Sequence, residues 1–168
     1  YKVAVDIIYR GDRPWKAFDA NLVEQLLARG EEIGVGLRRR TSLKSIATDG
    51  VEFIVTVEKN GETEDLHADL VVHGAGRVPE IDRLNLSAAN IEAGDKGIAV
   101  NEYLQSLSNP KIYAAGAAAH THGPPLTPVA VFEGTFAASN MLTGTQTTPD
   151  YRRVPRAVCT IPQLSCVG

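Results

Sequence analysis

The chain is poor in aromatic residues, holds only two cysteines, and has no apolar run that approaches the length needed to span a bilayer. It also lacks an excess of positive charge. The formal net charge of −3 argues against a general nucleic-acid binder. The opening YKVAVDIIYR does not have the order of a signal peptide, which fits a cytoplasmic setting. There is no internal repeat and no low-complexity stretch. What is present is 43% hydrophobic and 22% charged residues, the balance of a soluble globular chain, and 168 residues suffice for one domain or parts of two.

The pattern along the chain is that of an α/β protein. Val3 to Tyr9 is a β-rich apolar run broken by Asp6, the signature of a strand buried on both faces in a parallel sheet. Arg10 to Pro14 is a turn. Asp19 is placed to cap a helix, with Phe18 before it and Leu22, Val23, Leu26 and Leu27 on one face. Gly30 should stop that helix, and Ile33 to Leu37 should be the next strand. A three-stranded antiparallel meander follows: Leu43 to Ala47, the alternating run from Val51 to Val57, and Glu62 to His67 after an Asn60-Gly61 hairpin turn. Leu70 to Val72 returns to a buried strand that ends at Gly74-Ala75-Gly76.

Ser108 to Met141 carries the strongest chemical signal. A short apolar run from Ile112 to Ala115 ends on Gly116, a loop with Pro and His follows, and a helix opens near Pro128. A strand, a glycine turn and a helix start are expected to converge on one spot. Unpaired N–H groups at a helix start attract a phosphate, a carboxylate or the pyrimidine edge of a flavin.

These residues resemble the flavoprotein (pyridine nucleotide) disulfide oxidoreductases, the family of glutathione reductase, dihydrolipoamide dehydrogenase and mercuric reductase. That family carries T-x-x-P-x-I-Y-A-x-G-D, a loop, and then L-T-P-V-A. This chain has Ser108, Pro110, Ile112, Tyr113, Ala114 and Gly116, then Leu126, Thr127, Pro128, Val129 and Ala130. Gly74-Ala75-Gly76-Arg77-Val78-Pro79-Glu80 is similar to the family's A-T-G-R-x-P-N, and Asp95-Lys96-Gly97 through Glu102 is similar to D-x-x-G-x-I-x-V-D-E. The resemblance covers nearly the whole chain. It implies a partial two-dinucleotide-domain, Rossmann-like fold with an inserted meander. The implied segments are 1–81 from the end of an NAD(P)-binding domain, 82–146 from the end of an FAD-binding domain, and 147–168 from the start of an interface domain.

The same resemblance implies an activity: hydride passes from NADPH to FAD and then to a redox disulfide, in a homodimer with no nucleic-acid or membrane partner. No G-x-G-x-x-G occurs, and neither does the family's C-x4-C. The chain therefore reads as a fragment with no catalytic residue of its own, inactive alone and poor at holding FAD. The alternatives are a degenerate non-catalytic relative or binding module, and a flavin reductase of the same fold acting on a quinone, mercuric ion or oxygen.

Candidate cofactor-binding residues follow. Gly116, Ala117, Leu126, Thr127 and Pro128 are expected at the flavin, Gly76 and Arg77 at the nicotinamide dinucleotide or the domain join. Arg10 and Lys16, with Arg13 a further cation, stand where a Rossmann fold meets the adenosine ribose. No acid stands at the strand tip, which favours NADP over NAD. Ala117 departs from the family, whose Asp there accepts a hydrogen bond from the flavin's ribityl chain. Glu133, on the same helix, is given no role. His120 and His122 lie in a loop with no third ligand close in sequence, and His67 and His73 have no evident partners. Cys159 and Cys166 read as small structural hydrophobes.

Overall fold

The computed structural model describes residues 3–144 and 146–167. Tyr1, Lys2, Thr145 and Gly168, which fall in the three segments read from the sequence, lie outside the described residues. The chain divides into two compact units. Tyr1–Gly74 with Pro155–Cys166 forms the first, and Ala75–Val154 with Val167–Gly168 forms the second.

In the first unit, β1 (Val5–Tyr9) pairs in parallel with β2 (Val35–Arg39), from Val5 opposite Val35 to Tyr9 opposite Arg39. A parallel pair needs a crossover, and α1 (Ala20–Glu32) supplies it. The Asp19 carboxylate accepts from the Asn21 and Leu22 amides at 2.9 and 3.1 Å, which starts α1 one residue later. Val23 on the inner face is fully buried. Gly30 does not stop the helix. A glycine inside a helix costs only about 1 kcal/mol, whereas termination needs a left-handed residue, and Gly34 at φ +91° provides it. β2 accordingly begins at Val35, two residues after the expected start.

Asp6 interrupts the apolar run for a reason visible across the pair. Its carboxylate faces Gly36, where a Cβ would come within 2.8 Å of Oδ1, and Arg38 Nε lies 3.6 Å from it. β1 is not buried on both faces as expected. Val5 and Ile7 keep about two fifths of their surface exposed, because among the described residues β2 is the one strand paired with β1.

The meander is present as β3 (Ser42–Thr48), β4 (Phe53–Lys59) and β5 (Glu62–Ala68), with β4 in the centre. Asn60 and Gly61 both have positive φ, 55° and 86°, as a two-residue turn of the favoured hand requires. Val55 and Val57 are buried on one face, and Thr56 on the other donates 2.7 Å to Asp65. Val51 falls outside β4. The Asp49 carboxylate takes the Val51 and Glu52 amides into a turn, so the strand starts at Phe53. His67 does have a partner, with Nδ1 at 2.7 Å from Glu52 Oε1. Leu70 to Val72 forms no strand. It pairs with no described strand, and Leu70 and Val72 are largely exposed.

In the second unit, β6 (Ala93–Gly94) runs antiparallel to β7 (Gly97–Ala99), and β8 (Ala119–His120) runs parallel to β7. Ile98, Ala114 and Ala119 form the core, with Leu86, Ile91 and Val100 against it. The run from Ile112 to Ala115 is extended without being a regular strand. It is held by one bridge, Gln105 to Tyr113, and by bonds from Ser106 N–H to the Ile112 carbonyl and from Ala114 N–H to the Leu104 carbonyl. α2 (Thr127–Thr143) buries Val129, Glu133, Ala137 and Asn140 on one face. Asn140 ties the far end of α2 down, donating to the Tyr103 and Thr147 carbonyls and accepting from the Thr147 amide and hydroxyl.

Two last strands, β9 (Pro155–Val158) and β10 (Leu164–Val167), pair with each other. Cys159 is exposed and Cys166 half-buried, so neither thiol is the fully buried hydrophobe expected. The reason is position: Cys159 leads the turn between the two strands, and only Leu164 of this pair is buried.

Asp19→Ala removes the acceptor for two amides at the start of α1. It should lower the unfolding free energy by about 1 kcal/mol, read as an earlier urea midpoint at unchanged slope.

Candidate functional site

The glycine turn and the proline-led helix lie against each other in the second unit. Gly116 has φ +66° and begins a 3-10 turn over Gly116–Ala118. A Cβ on Gly116 would fall 2.7 Å from the Ala130 Cβ, so only glycine lets the turn touch the first turn of α2. Pro128 occupies the start of α2, where its missing N–H costs nothing. No side chain caps this end. The Ala130 amide returns to the Leu126 carbonyl at 3.0 Å, and the Leu126 amide turns back to Pro124. The amides of Thr127 and Val129, and that of Ala117 in the adjoining turn, have no protein acceptor among the described residues. Three unpaired donors from two touching segments, one of them a helix N-terminus, make a place suited to an electron-rich ligand edge.

What holds the two segments together is Glu133, a residue the sequence reading left without a role. It is 1% exposed, and among the described residues it is the one charged side chain that is buried. Oε2 accepts from Gly116 N–H at 2.6 Å. Oε1 accepts from the Thr121 hydroxyl at 2.7 Å and the Tyr151 hydroxyl at 2.6 Å. The loop is drawn in so tightly that a Cβ on Gly123 would lie 2.6 Å from the Tyr151 ring and 2.8 Å from Glu133 Oε1. Burial and the adjacent Glu133 carboxylate push the Tyr151 phenol well above the ordinary tyrosine range. A glutamate one helical turn beyond T-P-V-A was the only sequence signal for this.

Ala117 is exposed and offers no acceptor beyond its carbonyl. Leu126 is half-buried at the helix start, with Thr127 and Pro128 exposed beside it. His120 is exposed at the end of β8, and His122 is exposed in the loop. Among the described residues no group of three His, Cys, Asp or Glu side chains is arranged to hold a metal ion. Gly76, at φ +114°, and Arg77 are both exposed near the start of the second unit.

The first unit carries the other candidate residues on the loop after β1. That loop is braced by hydrogen bonds from Arg40 N–H to the Gly11 carbonyl and from the Tyr9 hydroxyl to the Arg13 carbonyl. Three consecutive arginines of β2 and its end are each engaged. Arg38 reaches Glu64, Arg39 grips Glu24 through two bonds, and Arg40 takes Asp12. The Glu24 carboxylate raises the Arg39 pKa further. Of the two acids in the loop, Asp12 is thereby paired with Arg40 and Asp19 caps α1. Arg10 and Lys16 are exposed and have no acidic partner among the described residues, and Arg13 reaches only the Phe18 carbonyl at 3.4 Å. The loop presents unpaired positive charge.

The Tyr151 shift has a pH consequence. The folded phenol ionises above the unfolded value of about 10. Its contribution to stability is complete below about pH 10 and is lost as pH rises through the folded value. In an alkaline absorbance titration Tyr151 should ionise late, and Tyr151→Phe should remove that late step together with the matching fall in stability.

Residues 1–134 match the family described as pyridine nucleotide-disulphide oxidoreductase. The chain is 34% identical over 165 residues to a mercuric reductase of Staphylococcus aureus, covering 98% of this chain and 30% of that protein. It is 32% identical over 165 residues to a dihydrolipoyl dehydrogenase of Bacillus subtilis, covering 98% of this chain and 34% of the relative. The crystal structure of LpdA from Mycobacterium tuberculosis superposes with a TM-score of 0.84 at 27% identity, over 99% of this chain and 35% of that one. The chain thus spans about a third of the length of the relatives it matches. With its α/β fold, its three-stranded meander and a match over most of its length, the chain belongs to the pyridine nucleotide-disulphide oxidoreductase family.

Proposed function

We propose that this chain contributes the closing parts of two dinucleotide-binding domains to an NADPH-dependent flavoprotein disulfide reductase. Residues 1–81 belong to the nicotinamide side, 82–146 to the flavin side and 147–168 to the start of the interface domain. The observation that carries the reading is the contact between Gly116 and the first turn of α2, with unpaired amides on both. Those donors fit the pyrimidine edge of an isoalloxazine. Ala117, Thr127 and Val129 would hold that edge through backbone N–H, with Leu126 and Pro128 shaping the helix start. Amides fixed there stabilise negative charge on the ring. The chemistry that a bound flavin would supply there is acceptance of a hydride from NADPH and delivery of the electron pair to a disulfide.

Free cations on the loop after β1 support NADPH over NADH. Arg10 and Lys16 are available to a 2′-phosphate because the neighbouring arginines are already matched to carboxylates. Gly76, whose positive φ bends the backbone without a side chain, and Arg77 are assigned to the dinucleotide or the linker between domains. A cytoplasmic homodimer acting on a disulfide or another small oxidant belongs to the same proposal. Ala117 favours a second reading, a non-catalytic relative, because the ribityl acceptor is missing.

Two measurements test this. FAD should bind the chain weakly, and Ala117→Asp should tighten binding roughly tenfold to a hundredfold, the worth of about 1–3 kcal/mol for one recovered hydrogen bond. Unchanged flavin retention would remove the ribityl argument. On the nicotinamide side, Arg10→Ala with Lys16→Ala should weaken binding of adenosine 2′,5′-bisphosphate and leave that of 5′-AMP unaltered, as read by ligand-observed NMR at low salt. Equal loss for both ligands would exclude a 2′-phosphate role.

A further inference from the structure

Glu133 poses a chemical question that the cofactor reading does not answer. A buried carboxylate is costly unless its lone pairs are matched. Among the described residues Glu133 has no cation within ion-pair distance; its partners are three neutral donors from three separate segments: the glycine turn, the loop at Thr121 and the 3-10 turn at Tyr151. An apolar residue here would fill the space at lower cost, so the charge has a use other than packing. Its use is evident from what it binds. It takes the Gly116 amide of the glycine turn, and it leaves the next amide, that of Ala117, without a protein acceptor among the described residues. It also draws Thr121, whose hydroxyl in turn accepts from the Gly123 amide at 3.2 Å, so the loop before α2 is fastened to the same point.

We propose that Glu133 is a positioning residue for the flavin. Its carboxylate fixes the peptide at Gly116, the loop at Thr121–Gly123 and the Tyr151 ring onto α2. The unpaired amides of the turn and the helix start are thereby held in register before a ligand arrives. This rests on the flavin reading above. Preorganisation of this kind raises affinity by removing the ordering cost at binding, not by adding a contact. Glutamine keeps the geometry: Oε1 accepts from Gly116 N–H while Nε2 donates to the two hydroxyls, which can rotate to accept. Leucine matches the volume and leaves all three donors unsatisfied.

The test compares the wild-type chain with Glu133→Gln and Glu133→Leu by FAD fluorescence titration and by amide hydrogen exchange. Expected results are a slowly exchanging, downfield Gly116 amide in wild type, FAD affinity within about threefold of wild type for Gln, and a loss of roughly tenfold or more for Leu, with rapid exchange at Gly116. If the Leu variant does not fold, Thr121→Val with Tyr151→Phe, which leaves Gly116 bonded, should still weaken FAD by several-fold. Wild-type affinity in the Leu variant, or in the double variant where Leu fails to fold, overturns the positioning role alone. So does a Gln variant as weak as Leu. A wild-type chain that binds no FAD while its Gly116 amide stays protected overturns the flavin reading and this role with it.

Discussion

The second unit depends on one carboxylate. Glu133 sits inside the protein with no positive charge near it among the described residues, and three short hydrogen bonds replace the water it gave up. Bonds to an ionised acceptor are about twice as strong as those between neutral groups, which lets three neutral donors keep a buried charge. The consequence is mechanical. Segments separated along the chain by the loop and by the whole of α2 meet at one atom pair, and none can move without stranding a charge. The glycines at 116 and 123 follow from this, since each sits where a side chain would strike Ala130, Tyr151 or the carboxylate itself.

The first unit solves a different electrostatic problem on its surface. Arg38, Arg39 and Arg40 crowd three positive charges onto the end of β2, and each is answered by an acid from another element: Glu64 of β5, Glu24 of α1 and Asp12 of the β1 loop. Exposed pairs of this kind add little stability. Their effect is on selectivity of charge. With Asp12 engaged, Arg10 and Lys16 on the loop after β1 have no acidic partner among the described residues, in a chain whose net charge is negative. Net charge alone would have hidden these two cations.

Local chemistry was legible where one residue type has one physical use. Asn60-Gly61 demands positive φ twice, and Asp19 before an apolar-faced segment is an N-cap. Pro128 fits only a helix start. Signals that depend on distant partners were misread. Val3 to Tyr9 and Leu70 to Val72 have the composition of doubly buried strands, but composition cannot supply the neighbour that would bury them. Gly30 looked like a stop because glycine permits one, although Gly34 four residues on takes the left-handed conformation. Glu133 was passed over because a glutamate on a helix is ordinarily solvated. Its burial is set by Gly116, Thr121 and Tyr151, which no periodicity links to it.

The same network bears on Ala117. A loss of the ribityl acceptor would be expected to coincide with decay of the rest of a flavin site, since neighbouring positions lose their use together. That is not the pattern here. The turn keeps its positive-φ glycine, the helix keeps its proline start without a side-chain cap, and the buried carboxylate keeps all three donors. Each is tightly constrained, since leaving the buried charge unmatched or blocking the glycine turn would cost several times what a surface substitution does. In the flavin reading proposed above, the end that would meet the ring has these structural parts in place, and Ala117, an exposed side chain, stands at the end that would meet the sugar alcohol.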